Sequence, residues 1–547
     1  MPTSAAAAAV RDLGEEVWAW RAAQRPRSSD DIPRMDRPPG WVPDWSRDAV
    51  AAMRRRRDEL AARWQTLDVG SQPVAVQVDH RLIGSVLARV RWELELLCSW
   101  QRDPSFYVDQ TLGVVFDALL QPPPFDATRA DDVVRLLASV PATLEEARTN
   151  LDPVAAFTRV ALTNLAAVEA QLPAAMTALS PLLPASARDP LAAATARARA
   201  ALVSYREWLV ALLPELGGRP AVGRDAFVWF LRHVALQPAT PEEMIAAGRR
   251  EWHRAVALEQ VLQARHRAVP APPLLPTVAA QVAAQRDAET AVRAFSEEHD
   301  LLSQPDDLRR YRFAPLPDHL APLAWLGVLD DLTSVARPHD DAVRYVPEPS
   351  EDIGFFDLAN ARDPRTGIVH EGVHAQQLAL GYTHPDPLRR CYYDSGANEG
   401  IAFYNEELLL QAGLFDDAPH SQLTIARFLR LRALRVEVDV RLATGDLDVA
   451  AAAALLAETV PLDEATAAEE AAFFAATPGQ ALTYQIGKLQ ILRLVSDASR
   501  LRGGAFSLRR LHDELWRNGN VPLSLLRWEL LGLRDEVDAL DPDAAQR

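Results

Sequence analysis

His370-Glu371-Gly372-Val373-His374, continued by Ala375-Gln376-Gln377-Leu378-Ala379-Leu380 up to Gly381, is the stretch on which the reading of this chain turns. It is a complete H-E-x-x-H with helix-friendly residues on both sides, Ile368-Val369 before it and an apolar, Ala-rich run after it. On a helix, histidines four residues apart lie one turn above each other, so both imidazoles reach one zinc ion. Glu371 then stands beside that ion, placed to take a proton from water as general base. The bland alternative is an amphipathic helix that carries two histidines on its polar face.

Two histidines leave a catalytic zinc site one protein ligand short. Glu399 is the expected third, in Asn398-Glu399-Gly400-Ile401-Ala402-Phe403-Tyr404-Asn405-Glu406-Glu407, a helix that could pack against the first with Gly400 allowing close approach. Glu406 and Glu407 compete for the role. Glu406 sits about two turns further on, roughly 10 Å along the axis, too far to share an ion with Glu399 in a straight helix. Asp394, Asn398 or a backbone carbonyl could orient the imidazoles.

The rest of the chain bounds the setting. Its 547 residues are 48% hydrophobic, rich in Ala, Leu, Arg and Glu and poor in β-branched runs, which predicts a mainly α protein with a large core. A net charge of −17 argues against nucleic acid and membrane-surface partners. The basic run Arg54 to Arg57 reads as a solvated helix face. Cys98 and Cys391 are the only cysteines, which fits a reducing cytoplasm better than a disulfide framework. No signal peptide is expected from the Ala5 to Ala9 run, and no apolar run is long enough to span a membrane.

Along the chain we expect an N-terminal arm over 1–45, a helical region over 46–300 and a catalytic region over 301–540, the last two packed as one unit. Strand character is confined to Tyr311 to Leu316, Val343 to Val346 and Gly354 to Leu358, just before the H-E-x-x-H helix. The last of these reads either as an edge strand carrying Phe355 and Phe356, to which an extended substrate could add, or equally as a plain structural strand covering the helix. His512 reads as a packing histidine and His384 as a loop residue.

Three segments, from His370 to Gln377, from Asn398 to Glu406 and from Pro478-Gly479-Gln480-Ala481-Leu482-Thr483-Tyr484-Gln485-Ile486-Gly487-Lys488 to Ile491, together resemble the bacterial family called domain of unknown function 885. The resemblance runs upstream through Trp100-Gln101-Arg102-Asp103-Pro104 and downstream through Gly519-Asn520-Val521-Pro522-Leu523, and so covers nearly the whole chain. It implies a mostly helical, gluzincin-like zinc metallopeptidase architecture enclosing a deep cleft, with a small sheet beside the metal helix. Two departures stand out. The family commonly carries Pro-Gly inside the motif, where this chain runs from Val373 straight into His374. It also tends to have a histidine shortly after the position of Asp439, where this chain has Val440-Arg441-Leu442-Ala443.

Hydrolysis of an amide develops an oxyanion that needs a donor. Tyr484, in the family-like segment, is that candidate, although a tyrosine on an apolar helix is often only core. Lys488, one turn on, and Arg493 could bind a substrate carboxylate or serve as ordinary ion-pair partners. The expected function is zinc-dependent hydrolysis of an amide or peptide bond in a short peptide or amino-acid conjugate. The rivals are a repurposed enzyme acting on a non-peptide C–N bond and a metal-free helical binding or scaffold protein.

Overall fold

Side chains of Ser, Thr and Asp open many of the helices by accepting a backbone N–H of the first turn. Ser4, Asp126, Thr277, Asp394 and Ser507 all do so, and Thr240 forms a full capping box with Glu243. The computed structural model describes residues 4–28, 35–460 and 462–541, so parts of the expected arm, residues 1–3 and 29–34, lie outside the described residues.

The protein is mainly helical with one small sheet. The elements used below are α1 (Ala5–Gln24), α2 (Val74–Arg91), α3 (Pro241–His266), α4 (Val278–Glu298), β1 (Tyr311–Pro315), β2 (Asp330–Asp331), β3 (Ala342–Val346), α5 (Phe355–Arg362), α6 (Arg365–Gly381), α7 (Ser395–Ala412), α8 (Pro419–Thr444), α9 (Glu464–Ala476), α10 (Thr483–Arg502) and α11 (Leu508–Arg517). Two stretches, Trp92–Leu97 and Asp109–Gly113, are wound as π-helix. No described helix is long and apolar enough to cross a membrane.

The sheet has the order β1-β3-β2, with β1 parallel and β2 antiparallel to the central β3. It lies against α4 and α6, beside the metal-motif helix as expected. Around α6 the chain packs in layers: α7 on one side, α10 across α7, and α3 paired along α8. Apolar residues of α1, α2, α6, α7 and α10 share one buried cluster, so the N-terminal helix contributes to the core.

Two expectations are corrected. The segment Gly354 to Leu358 is not a strand, because Phe355–Arg362 is helical and Phe355 and Phe356 both pack on Phe428, with ring centroids 5.5 and 5.2 Å away. A strand would send adjacent side chains to opposite faces. The basic run is not simply solvated either: Arg56 pairs with Glu16 of α1, and the largely covered Arg57 pairs with Glu95.

Candidate metal centre

The centre is built where α6, α7 and α10 meet. A Cβ on Gly400 of α7 would come within 2.7 Å of the Gly487 Cα of α10, and one on Gly487 would collide with the Gly396 carbonyl oxygen. Only glycines permit this backbone-on-backbone crossing. Gly400 therefore serves the approach of α10, not of the H-E-x-x-H helix as the sequence suggested. The entry to α10 is fixed by Pro478-Gly479, with Gly479 at φ +90°, and by buried Asp439, whose carboxylate accepts the Gly479 and Leu482 N–H groups at 2.8 and 2.9 Å. Burial raises the Asp439 carboxyl to about 7 despite these bonds.

His370 and His374 leave α6 on the same face and meet Glu399 from α7, all three buried. The Glu399 Oε2 lies 3.3 Å from His370 Nε2 and 3.5 Å from His374 Nε2. Among the described residues, Glu399 Oε2 and both nitrogens of His374 make no hydrogen bond although they are buried. Such groups are costly unless something satisfies them. Bonds of about 2.0–2.1 Å to a tetrahedral zinc set ligand atoms about 3.3–3.4 Å apart, close to the 3.3 and 3.5 Å between Glu399 Oε2 and the two imidazole nitrogens. The residues thus fit a zinc ion. Burial opposes ionisation of Glu399, but the two imidazoles outweigh it and hold the carboxyl far below its usual range.

The other ring nitrogen of His370 is held by Glu406, whose Oε1 is 2.7 Å from Nδ1, and this leaves Nε2 aimed at Glu399. Burial disfavours the charged His370 ring, yet Glu399 and Glu406 together raise its pKa to about 9. Glu406 is in turn 3.2 Å from Arg432 of α8. Glu406 therefore holds the far side of the His370 ring and does not face the His370–His374–Glu399 cluster. Asp394 caps α7 and Asn398 donates to Gln377, so neither orients a histidine, contrary to expectation.

Tyr484 reaches the centre. Its ring stacks on His370 at 5.9 Å and 15°, and it is flanked by the guanidinium groups of Arg432 at 5.2 Å and Arg435 at 5.0 Å. Glu371 lies within electrostatic reach of Tyr311 and Arg344 of the sheet. Burial and Asp330 raise the Tyr311 phenol, with a further contribution from Glu371; Asp330, Tyr311 and Glu371 overcome burial to raise Arg344. Arg432, Arg435, Arg344 and Asp330 escaped the sequence reading. The Arg432/Arg435 spacing puts both on one helical face with Asp439 one turn on, a signal that was there to use.

The expected substrate residues are not at the centre. Lys488 is buried, with its Nζ 2.6 Å from Glu407 and 3.3 Å from Glu251. Arg493 pairs with Asp535 and Glu536 on the far side of α10. Phe355 and Phe356 pack on Phe428, and Phe356 also lies under Arg432 and Arg435. His512 is a packing histidine as expected, joined to Tyr404 and to the Leu301 carbonyl.

A cavity of about 480 Å³ lies at the starts of α7 and α10. Ser395 and Thr483 line it, their hydroxyls 3.1 Å apart, but His370, Glu371, His374 and Glu399 do not. This cavity therefore adjoins the trio by one helical turn and does not surround it.

The family model described as "Bacterial protein of unknown function (DUF885)" matches residues 36–530. Two solved structures are similar throughout. A "putative lipoprotein of unknown function" from Shewanella oneidensis shares 16% identity over 96% of this chain and 98% of its own, with a TM-score of 0.69. A "putative lipoprotein" from Colwellia psychrerythraea shares 15% identity over 98% and 99%, with a TM-score of 0.75. No curated protein matches the chain.

Proposed function

We propose, for a chain that belongs to the DUF885 family, that His370, His374 and Glu399 hold one zinc ion and that the protein hydrolyses an amide or peptide bond in a short peptide or amino-acid conjugate. The observation that carries this reading is the buried trio whose facing atoms stand 3.3 and 3.5 Å apart. A zinc ion held there supplies Lewis acidity toward water and toward the scissile carbonyl. Glu371, next to His370 in sequence, takes the proton from the attacking water and returns it to the leaving amine. Arg344, tied to Asp330 at 3.1 Å and within electrostatic reach of Glu371, offers that carboxylate a fixed positive charge. Tyr484, held flat on His370 between two guanidinium groups, donates to the developing oxyanion. The gluzincin-like kinship belongs to this proposal.

The test is metal analysis and turnover together. Protein reconstituted with zinc should hold about one ion per chain and hydrolyse members of a panel of dipeptides and N-acyl amino acids. Glu371→Gln should keep the metal and lose turnover. Zinc near zero after reconstitution, or full activity in Glu371→Gln, overturns the reading. A cytoplasmic site of action is proposed from the two free thiols, Cys98 and Cys391, and fractionation of cells carrying the tagged chain tests it.

A further inference from the structure

The 480 Å³ cavity is assembled from distant parts of the chain: the end of α1 and the residues after it, the end of α2 and the π-helical turns that follow, α9, and the first residues of α7 and α10. Its size is that of a small-molecule site, for which about 300–1,000 Å³ is typical. Three features give it chemical character.

The first is flat apolar wall. Trp92 and Phe230 meet at 4.7 Å and Trp45 and Phe106 at 4.6 Å, while Trp100 and Trp325 add two more indoles. Such walls accept a planar ring. The second is a cation left over. Arg27 on the wall is committed to Asp109 and Asp117, and Glu93 is taken by Arg21. Asp103 and Asp394 cap helices, accepting the Ser105 and Ala397 N–H groups at 2.8 and 2.9 Å. Arg89, half-buried at the end of α2, has no hydrogen bond or ion pair of its side chain among the described residues; its charge reaches Asp394, whose carboxyl it lowers against burial, and Arg25 also lines the wall. Glu469 is the remaining lining acid and sits exposed on α9. The third is the backbone. Both π-helical stretches contribute lining residues, Trp92, Glu93 and Leu97 from one and Asp109 from the other. Single π turns of this kind cost regular hydrogen bonding and cluster at functional sites.

We infer that this cavity binds an organic carboxylate bearing an aromatic group, with the carboxylate on Arg89 and the ring between the tryptophans. The wall residue Thr483 precedes Tyr484, so a ligand seated here lies one residue along α10 from the ring that stacks on His370. In that position it is the acidic, aromatic part of the substrate, an assignment that rests on the proposed hydrolysis, whereas the binding itself does not.

Binding is measured on metal-free His374→Ala protein by quenching of tryptophan fluorescence and by calorimetry, with N-acetyl-L-phenylalanine as probe and its neutral carboxamide as control. The acid should bind at least tenfold tighter than the amide. Arg89→Met should remove that preference while leaving the amide unchanged, and Arg89→Lys should retain part of it. Ala472→Trp, which fills the cavity from α9, should abolish binding of both and serves as the independent variant if Arg89→Met does not fold. Equal affinity for acid and amide, no change in Arg89→Met, or no binding at millimolar probe overturns the inference. Hydrolysis by zinc-loaded wild type is scored separately, so loss of the catalytic reading leaves the cavity result standing.

Discussion

Glu406 and Glu407 are neighbours in sequence with opposite commitments. Glu406 faces His370 and Arg432, while Glu407 faces Lys488 and Arg254. A zinc competition titration should therefore separate three acids. Glu399→Ala removes a ligand and should weaken zinc most. Glu406→Ala frees the His370 ring and should cost roughly 10- to 100-fold, the usual effect of losing a ligand's partner. Glu407→Gln should leave zinc affinity unchanged and lower the melting temperature, because it strips a buried Lys488 of its closest counter-charge. Equal zinc affinity in all three variants would sink the assignment. On distance along the helix alone, Glu406→Ala is expected to be silent for zinc, and the structure reverses that. His370 and His374 were legible as a pair because helical spacing is local geometry, whereas Glu399 comes from another helix and was singled out beside Gly400, which in fact faces Gly487. The reach of Arg432 was not, since it depends on how α8 packs across α7.

At the scale of elements, the centre depends on α10 lying against α7 at Gly400 and Gly487. Gly487→Ala inserts a methyl where backbone already sits, so a loss of roughly 1–3 kcal/mol or more is expected in chemical denaturation. Tyr484, one turn earlier on α10, should shift with it and reduce turnover at unchanged zinc content. Wild-type stability in that variant would mean the helices do not touch as described. The long helices were readable from their caps and their 3.6-residue periodicity. Phe355–Arg362 was not, because a short apolar run fits strand and helix equally and only its packing on Phe428 decides. The helix Val278–Glu298 falls within the region expected to be helical, with Thr277 as the cap at its start.

Across the whole molecule, helical class followed from composition, but the cavity could not. Its walls come from segments hundreds of residues apart, and no local pattern marks them. Burial also reshapes the response of the molecule to pH. It raises the Asp103 carboxyl from 3.8 to about 7, against the Ser105 N–H that favours the charge. A raised carboxyl means that the folded state holds a proton which the unfolded chain releases, so this contribution is fully present below pH 3.8 and is lost as pH rises through about 7. Asp103→Asn keeps a good cap and has no proton to lose. Its melting temperature should fall less between pH 5 and pH 8 than that of wild type, by roughly 1.4 kcal/mol of stability per pKa unit removed. Parallel curves for the two proteins would show that Asp103 is ionised throughout.

The close approach of the Glu399 carboxylate to both imidazoles also acts as a gauge of ionic radius. Calcium bonds of about 2.3–2.6 Å would need those atoms to spread to roughly 3.8–4.2 Å in the same tetrahedral arrangement, and its preference for six to eight oxygens finds only one here. Two of the three atoms ride on one helix and the third on another that is wedged backbone to backbone against α10, so little spreading is available. Cobalt, close to zinc in size and tolerant of imidazole, should substitute and report the site by its visible absorption, while millimolar calcium should leave that spectrum untouched. An absorption lost to calcium would mean the frame is far looser than its glycine seam implies.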